Sequence, residues 1–139
     1  MKLKPQKLNV KFEGSTFEVD LEKELSINEN LINSQLKSSP ANYYIFCRLR
    51  DEAIRKRDNL GRQRDEAYSQ AWLYYKDSNE RWNNDYVSHK ANTNKKYCSL
   101  QERYLRAANK ANLYISICRA YESRENILRT LNANLRKQQ

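Results

Sequence analysis

The sequence predicts an all-α, oligomeric protein: a long antiparallel helical hairpin with a short N-terminal helix and an extended or hairpin arm. The chain has only two glycines and two prolines among 139 residues. This composition favours long uninterrupted helices over sandwiches, barrels and dinucleotide-binding folds. Two long segments also repeat apolar residues at close to 3.5-residue spacing, which is the period of packed helices. A chain of this length forms one modest core.

The predicted domain division places an N-terminal arm at residues 1–19 and a helical domain at residues 20–139. Apolar residues alternate through residues 8–19, on both sides of a turn-forming Glu-Gly-Ser-Thr segment. This pattern is typical of a small β-hairpin or an extended arm. A lone hairpin is marginally stable in water, so we expect the arm to pack against the helices or against a neighbouring subunit.

The first two helices are predicted from leucine spacing and from a capping pair. The first helix runs from Asp20 to about Lys37 and has leucines on one face. Ser39 is expected to cap the second helix, and Pro40 to lie in its first turn, because both residue types are favoured at helix starts.

The second and third helices are the two long helices of the predicted hairpin. The second helix continues to Tyr75 or Lys76, and residues 77–98 form the turn or a short helix. The third helix covers residues from about 99 to 137, and its apolar seam repeats at close to 3.5 residues. Matching seams on two long helices predict that the helices pack against each other as an αα-hairpin.

An arginine repeat marks the second helix. Three consecutive heptads share the pattern Arg-x-Arg-Asp and start at Arg48, Arg55 and Arg62. A seven-residue repeat stacks side chains in rows on a helix. The first arginines of the heptads therefore form an outer row, where Asp51 can pair with Arg55 and Asp58 with Arg62 at i,i+4 spacing. Rows of this kind are usually solvated.

The second arginines of the repeat, Arg50, Arg57 and Arg64, point the same way as the apolar pairs of the seam. A guanidinium group in an apolar seam is costly unless a carboxylate, a phosphate or water meets it. The seam row is therefore predicted to contact a phosphate, an acidic side chain or water.

The charge balance limits the partner classes. Lys and Arg number 26 against 17 Asp and Glu, giving a net charge of +9. Such an excess on a small helical protein favours nucleic acid or an acidic protein surface as partner. No segment approaches the ~18 apolar residues of a membrane span, so we expect no membrane contact and a cytoplasmic location.

The residues that could carry catalysis or bind a metal are sparse. The three cysteines are an odd number without metal-type spacing, and His89 is the single histidine. Cys47 and Cys118 fall on apolar stripes, where reduced thiols act as small hydrophobic groups. There is no Ser-His-Asp or Cys-His arrangement. We therefore expect no enzyme activity, no metal and no cofactor.

Aromatic residues interleave with the basic ones in the second helix, and ten of the aromatic residues of the chain are tyrosines. Sequence-tolerant binding of a single strand uses such a mixture, because cations contact phosphates and rings stack on bases. The alternative is that the tyrosines pack in the seam. The candidate nucleic-acid-binding residues are Arg50, Arg55, Lys56, Arg57, Arg62, Arg64, Tyr68, Trp72, Tyr74, Tyr75 and Lys76.

Three short segments of the chain resemble a known protein family. Residues 72–76 (Trp-Leu-Tyr-Tyr-Lys) follow a basic helix and are similar to the aromatic pair of the UvsY-type recombination mediators of tailed phages. Residues 123–131 (Ser-Arg-Glu-Asn-Ile-Leu-Arg-Thr-Leu) look like that family's closing Ser-Arg and aliphatic-basic pattern. Residues 17–20 (Phe-Glu-Val-Asp) are similar to its start, so the likeness covers about residues 17–136.

The resemblance implies an all-helical, ring-like homo-oligomer in the cytoplasm of a phage-infected host cell. Such proteins bind single-stranded DNA and help load a recombinase onto strands covered by single-strand-binding protein. The residues that match position by position are Tyr74, Tyr75, Arg124 and Arg129. Where the family has a basic Lys-x-Arg, residues 69–71 read Ser-Gln-Ala, and we hypothesise that residues 62–64 replace it.

Two functions follow from the sequence. The first is a recombination mediator whose arginines bind single-strand phosphates. The alternative is a helical interaction or inhibitor protein whose arginine rows pair with an acidic partner or across an oligomer seam, with Arg50, Arg57 and Arg64 near Glu102, Glu122 or Glu125.

Overall fold

The computed structural model of the protein describes residues 7–28 and 32–138. Predictions for residues 1–6 of the arm, for residues 29–31 of the first helix and for the side chain of Ser39 lie outside this part. The elements are β1 (Lys7–Phe12), β2 (Ser15–Asp20), α1 (Leu21–Leu25), α2 (Ile32–Ser78), α3 (Asn84–Asn92) and α4 (Lys95–Lys137). The all-α class is approximate, because a two-stranded sheet precedes the helices.

The contacts divide the chain into two compact units. Unit 1 contains the residues up to Arg50 and those from Tyr114 onward, and unit 2 contains Asp51–Leu113. Helices α2 and α4 each contribute one part to unit 1 and another to unit 2. The division at residue 19 stays a prediction.

The described part of the arm forms a β-hairpin, which is one of the two predicted forms. Strands β1 and β2 pair antiparallel, with Lys7 opposite Asp20 and Phe12 opposite Ser15. The two turn residues, Glu13 and Gly14, have positive φ values of 50° and 79°. Positive φ at both central positions matches the right-handed twist of the strands that the turn joins. The hairpin buries Val10 completely, so it contributes to the core of unit 1.

The first helix is shorter than predicted. The Asp20 side chain accepts a hydrogen bond from the Lys23 backbone N–H, and α1 ends at Leu25. Ser26 is extended, with φ −66° and ψ 150°. Gln35 of α2 donates to the Ser26 carbonyl at 3.0 Å, and this contact satisfies a backbone group that a continuous helix would have satisfied itself.

The predicted start of the second helix is wrong. Helix α2 begins at Ile32 and includes Pro40, which was expected in the first turn. Proline within a helix removes one backbone hydrogen bond and costs about 3 kcal/mol. The preceding turns therefore depend on contacts outside the helix, among them the hydrogen bond from the Asn28 backbone N–H to the Gln35 side chain at 3.1 Å.

Unit 1 has an aromatic core between parts of α2 and α4. Phe46 lies 5.5 Å from Tyr121 and 6.4 Å from Tyr114, measured between ring centroids. The Tyr121 hydroxyl donates to Glu24 of α1 at 3.2 Å. Burial and the neighbouring Glu24 raise the pKa of Tyr121. Cys118 is 1% exposed, and burial, with the adjacent Cys47 thiol, raises its pKa to about 12.

Unit 2 contains the antiparallel helix pair that the seams predicted. Leu60 and Ala67 of α2 pack with Leu100 and Ala107 of α4, and Tyr97 and Tyr104 border this cluster. Helix α4 begins at Lys95, four residues earlier than predicted, because the Asn94 side chain accepts from the Tyr97 backbone N–H at 3.1 Å. The predicted connector contains the short helix α3, which buries Val87 and Ala91.

Both long helices exceed the length needed to cross a bilayer, but in the described chain no helix carries a stretch apolar enough to do so.

Gly61 is predicted to set the spacing of the helices in unit 2. A Cβ at this position would lie 3.3 Å from the Tyr104 ring. Gly61→Leu should therefore lower the free energy of unfolding by about 2 kcal/mol through overpacking, as measured by urea denaturation. Ser69→Leu adds a similar side chain at an exposed position of α2 and serves as the control. Equal losses in both variants would contradict the prediction.

Cys118 is predicted to couple stability to alkaline pH. In the unfolded chain its thiol ionises near its ordinary pKa of 9.0, whereas in the folded protein it stays protonated to about 12. This group therefore contributes stability that is complete below pH 9 and is lost as the pH rises towards 12. The melting temperature should fall less steeply above about pH 9 in Cys118→Val than in the unmodified protein.

The control is Cys98→Val, because Cys98 is exposed. Its melting curves should follow those of the unmodified protein at each pH. A Cys118→Val protein with an unchanged alkaline slope would refute the coupling.

Candidate nucleic-acid interface

Two of the three seam arginines of the heptads pair with the aspartate that follows them in the sequence. Both Nε and Nη2 of Arg57 contact Asp58 Oδ1 at 3.0 Å. Arg64 contacts Asp65 Oδ1 through the same two atoms at 3.1 Å. The side chains of the two arginines are only 27% and 23% exposed. The Arg-Asp step of the repeat thus supplies each half-buried guanidinium with a carboxylate from the next residue.

Arg64 makes further contacts across unit 2. Its guanidinium lies 4.2 Å from the centroid of the Tyr104 ring, and its Nη1 donates to Gln101 Oε1 at 3.2 Å. Cation–π contact and hydrogen bonding both hold this side chain against α4. The third seam arginine, Arg50, belongs to unit 1 and is half-buried. The seam arginines therefore contribute to packing in the two units.

The outer row is exposed, as predicted. Arg55 and Arg62 line a shallow concavity together with Lys56, Asp58 and Asn59. Arg62 Nη2 donates to Asn59 Oδ1 at 3.4 Å, whereas Asp58, its predicted i,i+4 partner, contacts Arg57. These outer arginines present their charge to solvent.

A second set of cations lies where α2 and α4 meet in unit 2. A groove of about 240 Å³ has a floor of small and aliphatic side chains, and cationic side chains from both helices surround it. The floor consists of Ala53, Leu60 and Ala107, and the cations are Lys56, Arg103, Arg106 and Lys110. We call these seven residues the basic groove. Its four cations are all exposed.

Helical spacing explains how the groove forms. Arg103, Arg106 and Lys110 are spaced i, i+3 and i+7, so they lie along one side of α4. Lys56 reaches the same groove from α2. Glu102 contacts Arg106 at 3.5 Å, and both side chains are more than 70% exposed. An exposed pair of this kind contributes little and can exchange its carboxylate for another anion.

Sequence reasoning identified Lys56 but missed the three cations of α4. A signal was present, because positions 103, 106 and 110 flank the predicted seam residues of the third helix on one side. Only the antiparallel pairing in unit 2 brings them to Lys56. This pairing depends on helix register, which the repeat alone does not specify.

The predicted aromatic residues lie elsewhere in unit 2 and are mostly engaged. Tyr68 contacts Tyr97 edge to face at 5.3 Å between centroids, and Trp72 Nε1 donates to Ser88 Oγ at 3.2 Å. Tyr74 is the most exposed of them, at 67%, and its ring meets that of Tyr75 edge to face at 5.4 Å between centroids. Along α2, Tyr74 is about 27 Å from Lys56 at the rise of an α-helix. The aromatic end and the basic groove are therefore separate surfaces.

The last two candidates lie close to α3. The Tyr75 hydroxyl accepts a hydrogen bond from Asn94 at 3.5 Å. The Lys76 ammonium donates to the carbonyl of Trp82 at 2.9 Å and so ties the end of α2 to the start of α3. Both side chains support the connection between the helices.

The two arginines that match the family pattern lie in unit 1. Arg124 is 6% exposed, and its Nε donates to the Ser26 carbonyl at 3.3 Å. Arg129 contacts Glu125 at 2.7 Å. Burial gives Arg124 a role in packing, so of the two arginines only Arg129 presents a cation at the surface.

The chemistry of the basic groove is electrostatic. Its cations attract anions, and its apolar floor accommodates uncharged groups between them. Within the described residues no cluster of three or more His, Cys, Asp or Glu side chains has a metal-site arrangement. Comparison of the chain with protein-family models, with curated proteins and with solved structures found no match.

Proposed function

We propose that the protein binds single-stranded DNA through the basic groove and acts, without catalysis, as a recombination mediator. The observation that carries the proposal is the basic groove itself: four exposed cations from two helices around an apolar floor. Phosphates are the anions that such a groove suits, because they repeat along a strand as the cations repeat along the helices.

The outer arginines extend the proposed binding surface. Arg55 and Arg62 share their concavity with Lys56, which also lines the basic groove. A strand that crosses both would meet about four to six cations, so log affinity should fall with log salt at a slope of roughly −3 to −4.

The mediator role rests on the resemblance to UvsY-type proteins. In this proposal the protein forms a homo-oligomer that carries several basic grooves, and multivalency strengthens binding to one strand. A recombinase and a single-strand-binding protein are its further partners.

A second candidate function is a helical interaction or inhibitor protein with an acidic partner. The apolar floor of the basic groove favours it, because an acidic amphipathic helix would fit such a surface. The version in which the seam arginines pair across an oligomer is weaker, since Arg57 and Arg64 already contact Asp58 and Asp65.

The basic groove is predicted to account for the salt-dependent binding. In Arg103→Ala/Lys110→Ala, the affinity for oligothymidine should fall about tenfold or more, and the salt slope should become shallower by about 1.4. Fluorescence polarisation across a salt series, with a matched duplex alongside, measures both quantities.

The control for this test is Arg136→Ala/Lys137→Ala, which removes the same charge from exposed positions at the end of α4. Equal losses in both double variants would assign binding to net charge and contradict the groove. A folded protein that binds neither ligand would refute the proposed function and favour the acidic-partner alternative.

Arg62 and Arg64 are predicted to differ although they belong to the same heptad. Arg64→Ala removes the contacts with Tyr104 and Gln101, so it should lower the free energy of unfolding by about 1–2 kcal/mol. Arg62→Ala should leave stability within about 0.5 kcal/mol and weaken strand binding. Urea denaturation and polarisation on each single variant separate the effects. The reverse assignment would contradict the structural role of Arg64.

A further inference from the structure

An aromatic corner stands at the start of α3. The rings of Trp82 and Tyr86 meet edge to face, with centroids 4.8 Å apart. The Lys90 ammonium lies 5.9 Å from the Trp82 ring centroid and 5.7 Å from that of Tyr86. We call these three residues, spaced four apart along the chain, the aromatic corner. It combines two π-faces with one cation.

The aromatic corner is held in place by its backbone. The Trp82 backbone N–H donates to the Asn79 carbonyl at 3.2 Å, and the Trp82 carbonyl accepts from Lys76 at 2.9 Å. The Asn83 side chain accepts from the Tyr86 backbone N–H at 2.8 Å and caps α3. A backbone held in this way loses little conformational entropy when a ligand binds.

Packing of the protein core does not account for the corner. Helix α3 packs through Val87 and Ala91, which are completely buried. Tyr86 points elsewhere and is 42% exposed. Tryptophan and tyrosine are enriched at binding surfaces, because they offer an apolar face with a polar edge.

We propose that the aromatic corner is a base-stacking subsite for single-stranded nucleic acid, an inference that rests on the proposed function. A base stacks on an exposed ring of the corner, and Lys90 contacts the adjoining phosphate. The subsite and the basic groove both belong to unit 2.

The positive charge of Lys90 indicates which class of ligand the aromatic corner binds. Aromatic corners also attract quaternary ammonium groups, but here Lys90 already lies against both rings and repels a second cation. A nucleotide has the complementary character, because it brings an uncharged π-face for the rings and a negative phosphate for the lysine. Bases of a duplex are stacked on each other, so the subsite selects single strands.

The test uses Trp82 as its own probe. The chain has two tryptophans, so Trp72→Phe leaves Trp82 as the only one. An oligothymidine of about 20 nucleotides, longer than most single-strand site sizes, should quench its emission with saturation. An abasic oligomer of the same length, and the matched duplex, should leave the emission unchanged. If Trp72→Phe fails to fold, quenching that disappears in Trp82→Phe gives the same information.

Affinity provides the second readout. Tyr86→Ala should weaken oligothymidine binding about fivefold or more while changing binding of the abasic oligomer little, because it removes a stacking surface and no charge. Tyr44→Ala, at a tyrosine of unit 1 that is 58% exposed, is the matched control and should leave both affinities unchanged.

The outcomes separate this inference from the proposed function. Salt-dependent binding of oligothymidine with unchanged Trp82 emission and an unaffected Tyr86→Ala variant would overturn the subsite and leave the basic groove in place. Absence of any oligonucleotide binding by the folded protein would overturn both.

Discussion

Close approach of two helices is the constraint on which unit 2 depends. Gly61 faces the Tyr104 ring, and a Cβ atom at position 61 would lie only 3.3 Å from that ring. Small residues such as Ala67 and Ala107 fill the same seam. Since the interior of a protein is close-packed, a seam of this width has no room for long cationic side chains. The cations of α2 and α4 in unit 2 therefore lie on its two sides.

This arrangement gives unit 2 two chemically different sides. On one side, Arg57 and Arg64 are half-buried, and the carboxylates of the adjacent aspartates largely neutralise their charge. On the other side, the cations of the basic groove remain exposed. An ion pair already formed within the protein gains little from a phosphate, because the carboxylate would first have to be displaced. The exposed side is consequently the one suited to bind anions.

The sequence predicted the parts of the fold that local patterns determine. Alternation gave the β-hairpin, and the heptads gave the faces of α2 correctly, with Arg55 and Arg62 exposed and Arg57 and Arg64 half-buried. The predictions from the sequence were wrong or incomplete where contacts between residues far apart in the chain determine the structure. Pro40 lies within a helix whose preceding turn is tied to Ser26 and Asn28 by the Gln35 side chain. The α4 part of the basic groove depends on the register between the two helices. The aromatic corner depends on the geometry of the connection from α2 to α3. Neither feature leaves a periodic pattern in the sequence.

In the proposed function, the groove and the aromatic corner contribute different properties. Cations alone bind the phosphates of a duplex and of a single strand alike, and the duplex carries the denser charge. A protein with only the basic groove would therefore be expected to favour duplex. Preference for a single strand requires contacts that only unpaired bases can make, which are stacking contacts. In unit 2, the exposed Tyr86 ring lies against the half-buried Trp82 ring, and Lys90 is adjacent to both, so we assign the selectivity for single strands to this pair.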